Sequence, residues 1–436
     1  IFPRLKSKTF SFAKLRGSIA RVGNDAGFDR LINSYSYGGL FRNDMAWFQG
    51  DAVRKNPNLK PETTISKEIG AEVRLLDGRL TADVTYYDKY TRDQIVESEL
   101  SYLSNYQRVI INSGKISNKG WEISVSGVPV KVKNFEWKTI FNWSKNNSMV
   151  ESLPEGIDKI QIGSGVYNVK SYAEVGKPYG AIYAKTFKRD AEGYILCQLD
   201  GSPKEGQDYE YLGCVQADWR GGWNNVFRLG NFSFSVMFDF QKGGKFFSQT
   251  SIQSSVDGQS VKSLEGRDAD FFSRKILGES DEERYGFMRP QNANTPTANG
   301  QIYPDWGRPK GVVLPNCRYD EDVEGLAGQQ VLGYCTPERY WMHYTSRDIS
   351  RFIYDASYVK LREITVSYDL PKKWLRKTPF QTFRVAAVGR NIATLFANTP
   401  HGLDPQATST TGNAQGFERG FNLPSATYGF DIKVSF

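Results

Sequence analysis

The feature that most constrains this 436-residue chain is an alternation of apolar and polar residues with period two, which returns along its whole length. In 426–436, Ala426, Tyr428, Phe430, Ile432, Val434 and Phe436 share one face, while Thr427, Asp431, Lys433 and Ser435 share the other. Successive side chains of a strand point to opposite sides, so such a run reads as a strand with one apolar and one polar face. The pattern recurs in 231–240, where Phe232, Phe234, Val236, Phe238 and Phe240 oppose Ser233, Ser235 and Asp239. It is also clear in 65–75, 79–90, 117–127 and 135–143, and less clean in 12–22, 220–229, 358–370 and 382–390. In 358–370 the apolar set changes phase between Leu361 and Ile364, which predicts a bulge. The sum is about ten strands and no amphipathic helix.

The links between these runs constrain the topology further. Leu76-Asp77-Gly78 joins one pair, Gly230 alone separates another, and 128–134 and 371–381 are brief and carry Pro129, Pro371 and Pro379. Such links are hairpin turns. The links 23–64, 91–116, 144–219, 242–357 and 391–425 are long and rich in Gly, Asn, Ser and Pro. Short and long alternate strictly, so an up-and-down meander puts every short turn on one rim and every long loop on the other. That is the pattern of an outer-membrane barrel, with short periplasmic turns and long extracellular loops. The expected fold class is all-β, an antiparallel up-and-down transmembrane β-barrel. The competing class is a soluble or surface-anchored β-rich protein that binds or degrades glycans.

Hydropathy sums do not separate these classes. The chain has 39% hydrophobic residues and a mean hydropathy of −0.51, and lacks the run of about 20 apolar residues that a membrane-spanning helix needs. A transmembrane strand alternates and therefore averages out of any such sum. The polar faces carry Glu68, Glu72, Arg74, Asp83, Glu122, Glu136, Lys138, Asp239, Arg384, Arg390, Asp431 and Lys433. So many charges require a wide, wet lumen or a polar plug rather than a dry core. Tyr86-Tyr87, Trp121, Trp137, Trp143 and Tyr428 suit interfacial girdles. The net charge of +8 is spread along the chain, with no basic block beyond Lys131 to Lys133 and Lys372 to Lys377, so no nucleic-acid partner is expected. Two histidines, His343 and His401, and no Cys-x-x-Cys argue against a zinc site, and no cofactor is expected.

Asn56-Pro57-Asn58-Leu59-Lys60-Pro61-Glu62-Thr63-Thr64, Asn118-Lys119-Gly120-Trp121-Glu122, Val175-Gly176-Lys177-Pro178-Tyr179-Gly180 and Asp355 to Thr365, with the closing strand, resemble segments of the SusC/RagA-type TonB-dependent transporters of Bacteroidetes. Leu15-Arg16-Gly17-Ser18 through Val22-Gly23-Asn24-Asp25 is similar as well, so the likeness covers nearly the whole chain in order. The resemblance implies the later strands of a 22-stranded outer-membrane barrel that imports oligosaccharides or peptides under a SusD-like surface lipoprotein lid. It also implies a TonB complex acting on a plug. Residues 1–436 as a whole correspond to the C-terminal part of such a barrel, and the plug and early strands are not in this sequence. Unpaired strand edges are costly in lipid, so the remaining barrel and plug segment are expected from another segment or chain.

Individual motifs are weaker. Ser357-Tyr358-Val359-Lys360 has the Ser-x-x-Lys spacing of a serine acyl-enzyme, but on a strand these positions face opposite sides, and no companion motif follows. No discriminating carboxylate pair suggests a glycosidase, so no enzyme is expected. Asp320, Asp322 and Glu324 before Gly325 suggest the front of a calcium loop, but Val331 stands where the bidentate Glu belongs. A solvated acidic loop is expected there, without metal. Asp200 to Asp208 is likewise expected to hold none, because Lys204 occupies a ligand position. The four cysteines fall into local pairs, Cys197 with Cys214 and Cys317 with Cys335, and are expected as two loop-closing disulfides. Asp305 with Trp306, and Tyr340 with Trp341 and His343, are the candidates for contact with substrate or lid. The same aromatics could instead anchor loops to one another.

Overall fold

A computed structural model of the chain describes residues 9–42, 44–100, 102–264, 312–335, 339–400, 402–406, 415–420 and 425–436. Ten long strands form one sheet: β1 (Phe10–Asn24), β2 (Glu62–Leu75), β3 (Leu80–Arg92), β4 (Lys115–Val132), β5 (Phe135–Ser152), β6 (Trp219–Leu229), β7 (Phe232–Lys242), β8 (Tyr358–Asp369), β9 (Thr382–Ala397) and β10 (Thr427–Ser435). They neighbour one another in chain order and every pairing is antiparallel. These are the strands read from the alternating runs. The predicted bulge is present at Arg362, which both ladders skip. Leu361 and Glu363 face Phe238 and Met237 on one side, and Ala393 and Arg390 on the other.

The short links turn as their residues require. Leu76 and Asp77 both take positive φ, 55° and 53°, between β2 and β3. This is the pair of left-handed residues that matches a hairpin turn to the strand twist. Gly230, with φ 57°, supplies the same freedom between β6 and β7.

No second layer covers the apolar face of the sheet among the described residues. Leu15, Ile69, Phe430 and Ile432 are exposed, Phe430 by 86%. Trp137, Phe227 and Phe234 stack across three strands, with centroids 5.8 and 6.2 Å apart. Tyr86 packs on Trp121 at 4.9 Å near the long-loop rim, and just beyond them Lys119 meets Asp88, so the apolar band ends there. Phe232 on Tyr368 and Phe380 on Phe436 mark the other rim. The 11-residue strands β6 and β7 match the 9–11 residues of a tilted strand that crosses a bilayer. Tyr87 departs from the expected girdle: it lies on the polar face and its hydroxyl meets Asn146.

The hydrophobic core lies in the loops instead. Lys159–Ser164, Lys170–Glu174, Ala181–Ala184 and Glu210–Cys214 make a four-stranded sheet. Ile195–Cys197 pairs in parallel with Val312–Tyr319, which pairs in turn with Gln330–Cys335. The helix α1 (Gln249–Val256) packs Ile252 against Val169, Ile182, Phe247, Ile349, Phe352 and Phe417. Sequence periodicity gave no sign of it, because its faces are mostly serine and glutamine. Its N-cap Ser248 accepts from the Ser251 amide, which satisfies one of the amides a helix start leaves open. Segments that read as plain connectors therefore build a folded cap on one rim.

Candidate functional site: the polar wall and its loop cap

The polar face of β3 to β7 forms a concave wall. Asp83, Thr85, Glu122, Ser124, Asn142, Ser144, Arg220 and Asp239 line a depression of about 500 Å³. These residues come from alternate positions of five strands, which the register sets side by side. At its edge the Arg16 guanidinium crosses β2 to reach β3, giving two bonds of 2.6 Å to the Asp83 carboxylate and one to Thr85 Oγ1. Gly70 lies beneath that side chain, where a Cβ would come within 2.7 Å of Arg16 Nε. The missing side chain at Gly70 is what allows an arginine to span two ladders.

On β8, Lys360 is fully buried and reaches a loop rather than a strand. Its Nζ donates to both Asp404 oxygens, at 2.6 and 2.5 Å, and to Gln406 Oε1 at 3.0 Å. Arg362 and Tyr358 add bonds to Gln406. The loop after β9 is thus pinned onto the polar face. Ser357 is occupied elsewhere, accepting from the Gly243 amide, so Ser357 and Lys360 make no nucleophile pair. A second tie joins loops to each other. The Glu418 carboxylate accepts from Ser248 Oγ, the Thr250 amide and Thr250 Oγ1, linking the loop after β9 to the start of α1.

Tyr340 and Trp341 do not face a ligand. Each is 1% exposed, packed in the cap core with Phe187, Val331 and Tyr344, and Arg351 lies over both rings. Their contact role is therefore corrected to that of loop anchors, because aromatic surface this deep presents nothing to substrate or lid. His343 is exposed beside them. Asp305 and Trp306 lie outside the described residues.

The solvated acidic loop expected at Asp320, Asp322 and Glu324 is corrected at Asp320, which is 2% exposed. The Asp320 carboxylate is clamped by Lys188 and Lys204, at 2.9 and 2.8 Å, and Lys204 also holds Asp322. Ammonium groups occupy the places a cation would take. Burial pushes the Asp320 carboxyl up, but hydrogen bonds from Lys204, Lys188 and the Glu321 amide outweigh it and bring it down to about 2. Asp200 is taken by Arg339 and Ser202.

The expected cysteine pairs are not brought together. Cys317 lies opposite Val331 in its hairpin and Cys335 opposite Val312. Their positions are offset by roughly 13 Å at about 3.3 Å per residue, beyond the ~7 Å limit for a bridge. Cys214 sits in a different sheet from Cys197, opposite Ala181. Sequence reasoning missed Lys360–Asp404, Arg16–Asp83 and the two lysines on Asp320. Only the glycine at position 70 gave any local sign.

An uncovered apolar face, a polar wall and a cap on one rim together define a section of a β-barrel that crosses a lipid bilayer. The TonB dependent receptor-like β-barrel family matches residues 9–392, and the chain belongs to it. It is accordingly an outer-membrane protein of a Gram-negative bacterium. A TonB-dependent receptor of Formosa agariphila is 25% identical over 395 residues, covering 86% of this chain and 33% of its own length. A second from that organism is 28% identical over 267 residues, 55% of this chain and 26% of the relative. The TonB-dependent receptor SusC of Bacteroides thetaiotaomicron is 29% identical over 104 residues, 24% of this chain and 10% of its own. The chain thus spans a third or less of these relatives. Among solved structures, the RagAB peptide transporter superposes with a TM-score of 0.64 at 16% identity, over all of this chain and 42% of that one. At that identity the likeness is one of fold. Family membership decides against the soluble alternative, and the family is one of receptors and transporters rather than enzymes.

Proposed function

We propose that the chain forms the wall and extracellular cap of a TonB-dependent importer that takes up oligosaccharides or peptides. The observation that carries this reading is the one-sided cap pinned over a polar wall through Lys360 and Asp404, on a fold shared with a peptide transporter. The polar face lines the passage and receives a plug, the apolar face meets lipid, and the cap docks a SusD-like lipoprotein that acts as lid. The plug and the other strands, supplied by another segment of the same particle, complete the barrel, and the TonB complex acts on that plug. No residue of this section has a catalytic role.

Deleting the coding region and following growth on oligosaccharide or peptide fractions as sole nutrient tests the reading. Loss of growth on one class, restored by the intact gene, is expected. Unchanged uptake of both classes would refute it. For the completeness of the barrel, an intact mass from outer membranes equal to that of these 436 residues alone would overturn the proposal.

A further inference from the structure

Two cysteines that lie far apart in sequence meet in the cap. Ile195–Cys197 runs parallel to Val312–Tyr319, with Ile195 opposite Cys317 and Cys197 opposite Tyr319. Residues two apart on a strand share a face, so Cys197 and Cys317 are diagonal neighbours on the same side of this ladder, about 7–8 Å apart at the backbone, and a bridge draws the two strands closer by about 1 Å. The adjacent Cys317 sulfur and burial together push the Cys197 thiol up, as expected of two adjacent sulfurs in one apolar cluster. Both lie in the same apolar cluster, at 0% and 1% exposure. On the other flank, a Cβ at Gly333 would come within 2.6 Å of Cys317 Sγ, so the hairpin partner leaves room for that sulfur. Cys335 shares the cluster but sits at the far end of the hairpin, and Cys214 directs its sulfur toward the Tyr179 carbonyl in another sheet.

We infer that Cys197 and Cys317 are joined as a disulfide in the mature outer-membrane protein, cross-linking the loop between β5 and β6 to the loop between β7 and β8. The cap of an outer-membrane barrel lies outside the reducing cytoplasm, where such bonds form and persist. The oxidant is the disulfide of a thiol oxidoreductase met before the cluster closes. One cysteine thiolate attacks it and releases one of its sulfurs as thiolate. The second cysteine thiolate then displaces the other sulfur from the mixed disulfide. Two electrons and two protons pass to the oxidoreductase, which leaves as a dithiol. The bond adds a covalent link between two loops already joined by this ladder, by Lys188 and Lys204 on Asp320, and by Arg318 on Asp190. It concerns the cap's covalent structure and stands whatever the substrate is.

The test is peptide mapping of the full protein extracted from outer membranes, with free thiols alkylated during lysis and digestion without reductant. The expected result is a linked peptide pair containing Cys197 and Cys317, with Cys214 and Cys335 alkylated. Four alkylated cysteines, or a link from Cys197 to Cys214 or Cys317 to Cys335, would overturn the inference. A second measurement is limited proteolysis of the cap. Reductant is expected to speed cleavage within 186–205 by about tenfold. Cys197→Ser, Cys317→Ser and the double variant should all match the reduced protein, and additive effects of the two single changes would count against the bond.

Discussion

Replacing Lys360 with methionine tests whether the loop after β9 is tethered to the wall by one buried ion pair. Methionine keeps the length of the side chain and removes the ammonium. Lys360 is 0% exposed and Asp404 13%, with both carboxylate oxygens bonded to Nζ. Removing one partner of a buried pair costs about 3–5 kcal/mol, because the other charge remains without compensation. The Gln406 amide still donates to Asp404 Oδ1 at 2.8 Å, which puts the loss at the lower end, about 3 kcal/mol. That loss is local, since the pair joins a loop to β8 rather than strand to strand. It corresponds to roughly a 100-fold increase in loop opening. Native-state hydrogen exchange of a peptide covering 398–406 reads it directly, with β8 and β9 as internal controls. Lys360→Met combined with Asp404→Leu should restore part of the protection, because no carboxylate is then stranded. Unchanged exchange in 398–406, or an equal rise across β8 and β9, would refute the reasoning.

Three further predictions follow from the wall and the cap. Gly70→Val places a Cβ against Arg16 and should cost about 1–2 kcal/mol in urea unfolding of the detergent-refolded protein, despite valine's preference for strands. Arg16→Ala should then add little in that background, and full additivity would refute the link. Val236→Arg, midway along the apolar face of β7, should destabilise folding into lipid vesicles by about 2–4 kcal/mol, whereas Ser235→Arg on the adjacent polar position should be nearly neutral. Equal effects would reverse the assignment of faces. For Asp320 the folded-state carboxyl is depressed to about 2 against an ordinary value of ~3.9. Its stabilisation is therefore complete above about pH 4 and is lost as pH falls through about 2, amounting to ~2.6 kcal/mol. Protease resistance of the cap should fall across that window in the native protein and stay flat in Asp320→Asn.

The ten strands, their order, the bulge near Arg362 and the one-sided loops were legible because period-two alternation and turn chemistry are local. Each strand in a bilayer must present one face to lipid, and that requirement writes itself into adjacent residues. The folded cap was not legible, because its sheets use short strands of three to eight residues that are buried on one face against partners more than a hundred positions away. The same distance misled the reading of the cysteines: proximity in sequence suggested Cys197 with Cys214, whereas the parallel ladder brings Cys197 to Cys317. Asp320 read as part of a solvated loop from its acidic neighbours, and the structure buries it against two lysines 132 and 116 residues away. By itself the sequence determined the alternation, the hairpins and thus an outer-membrane wall. Only the tertiary structure decided which loops close over it and which charges hold them, because ion pairs and packed aromatics depend on positions brought together by folding, not on spacing along the chain.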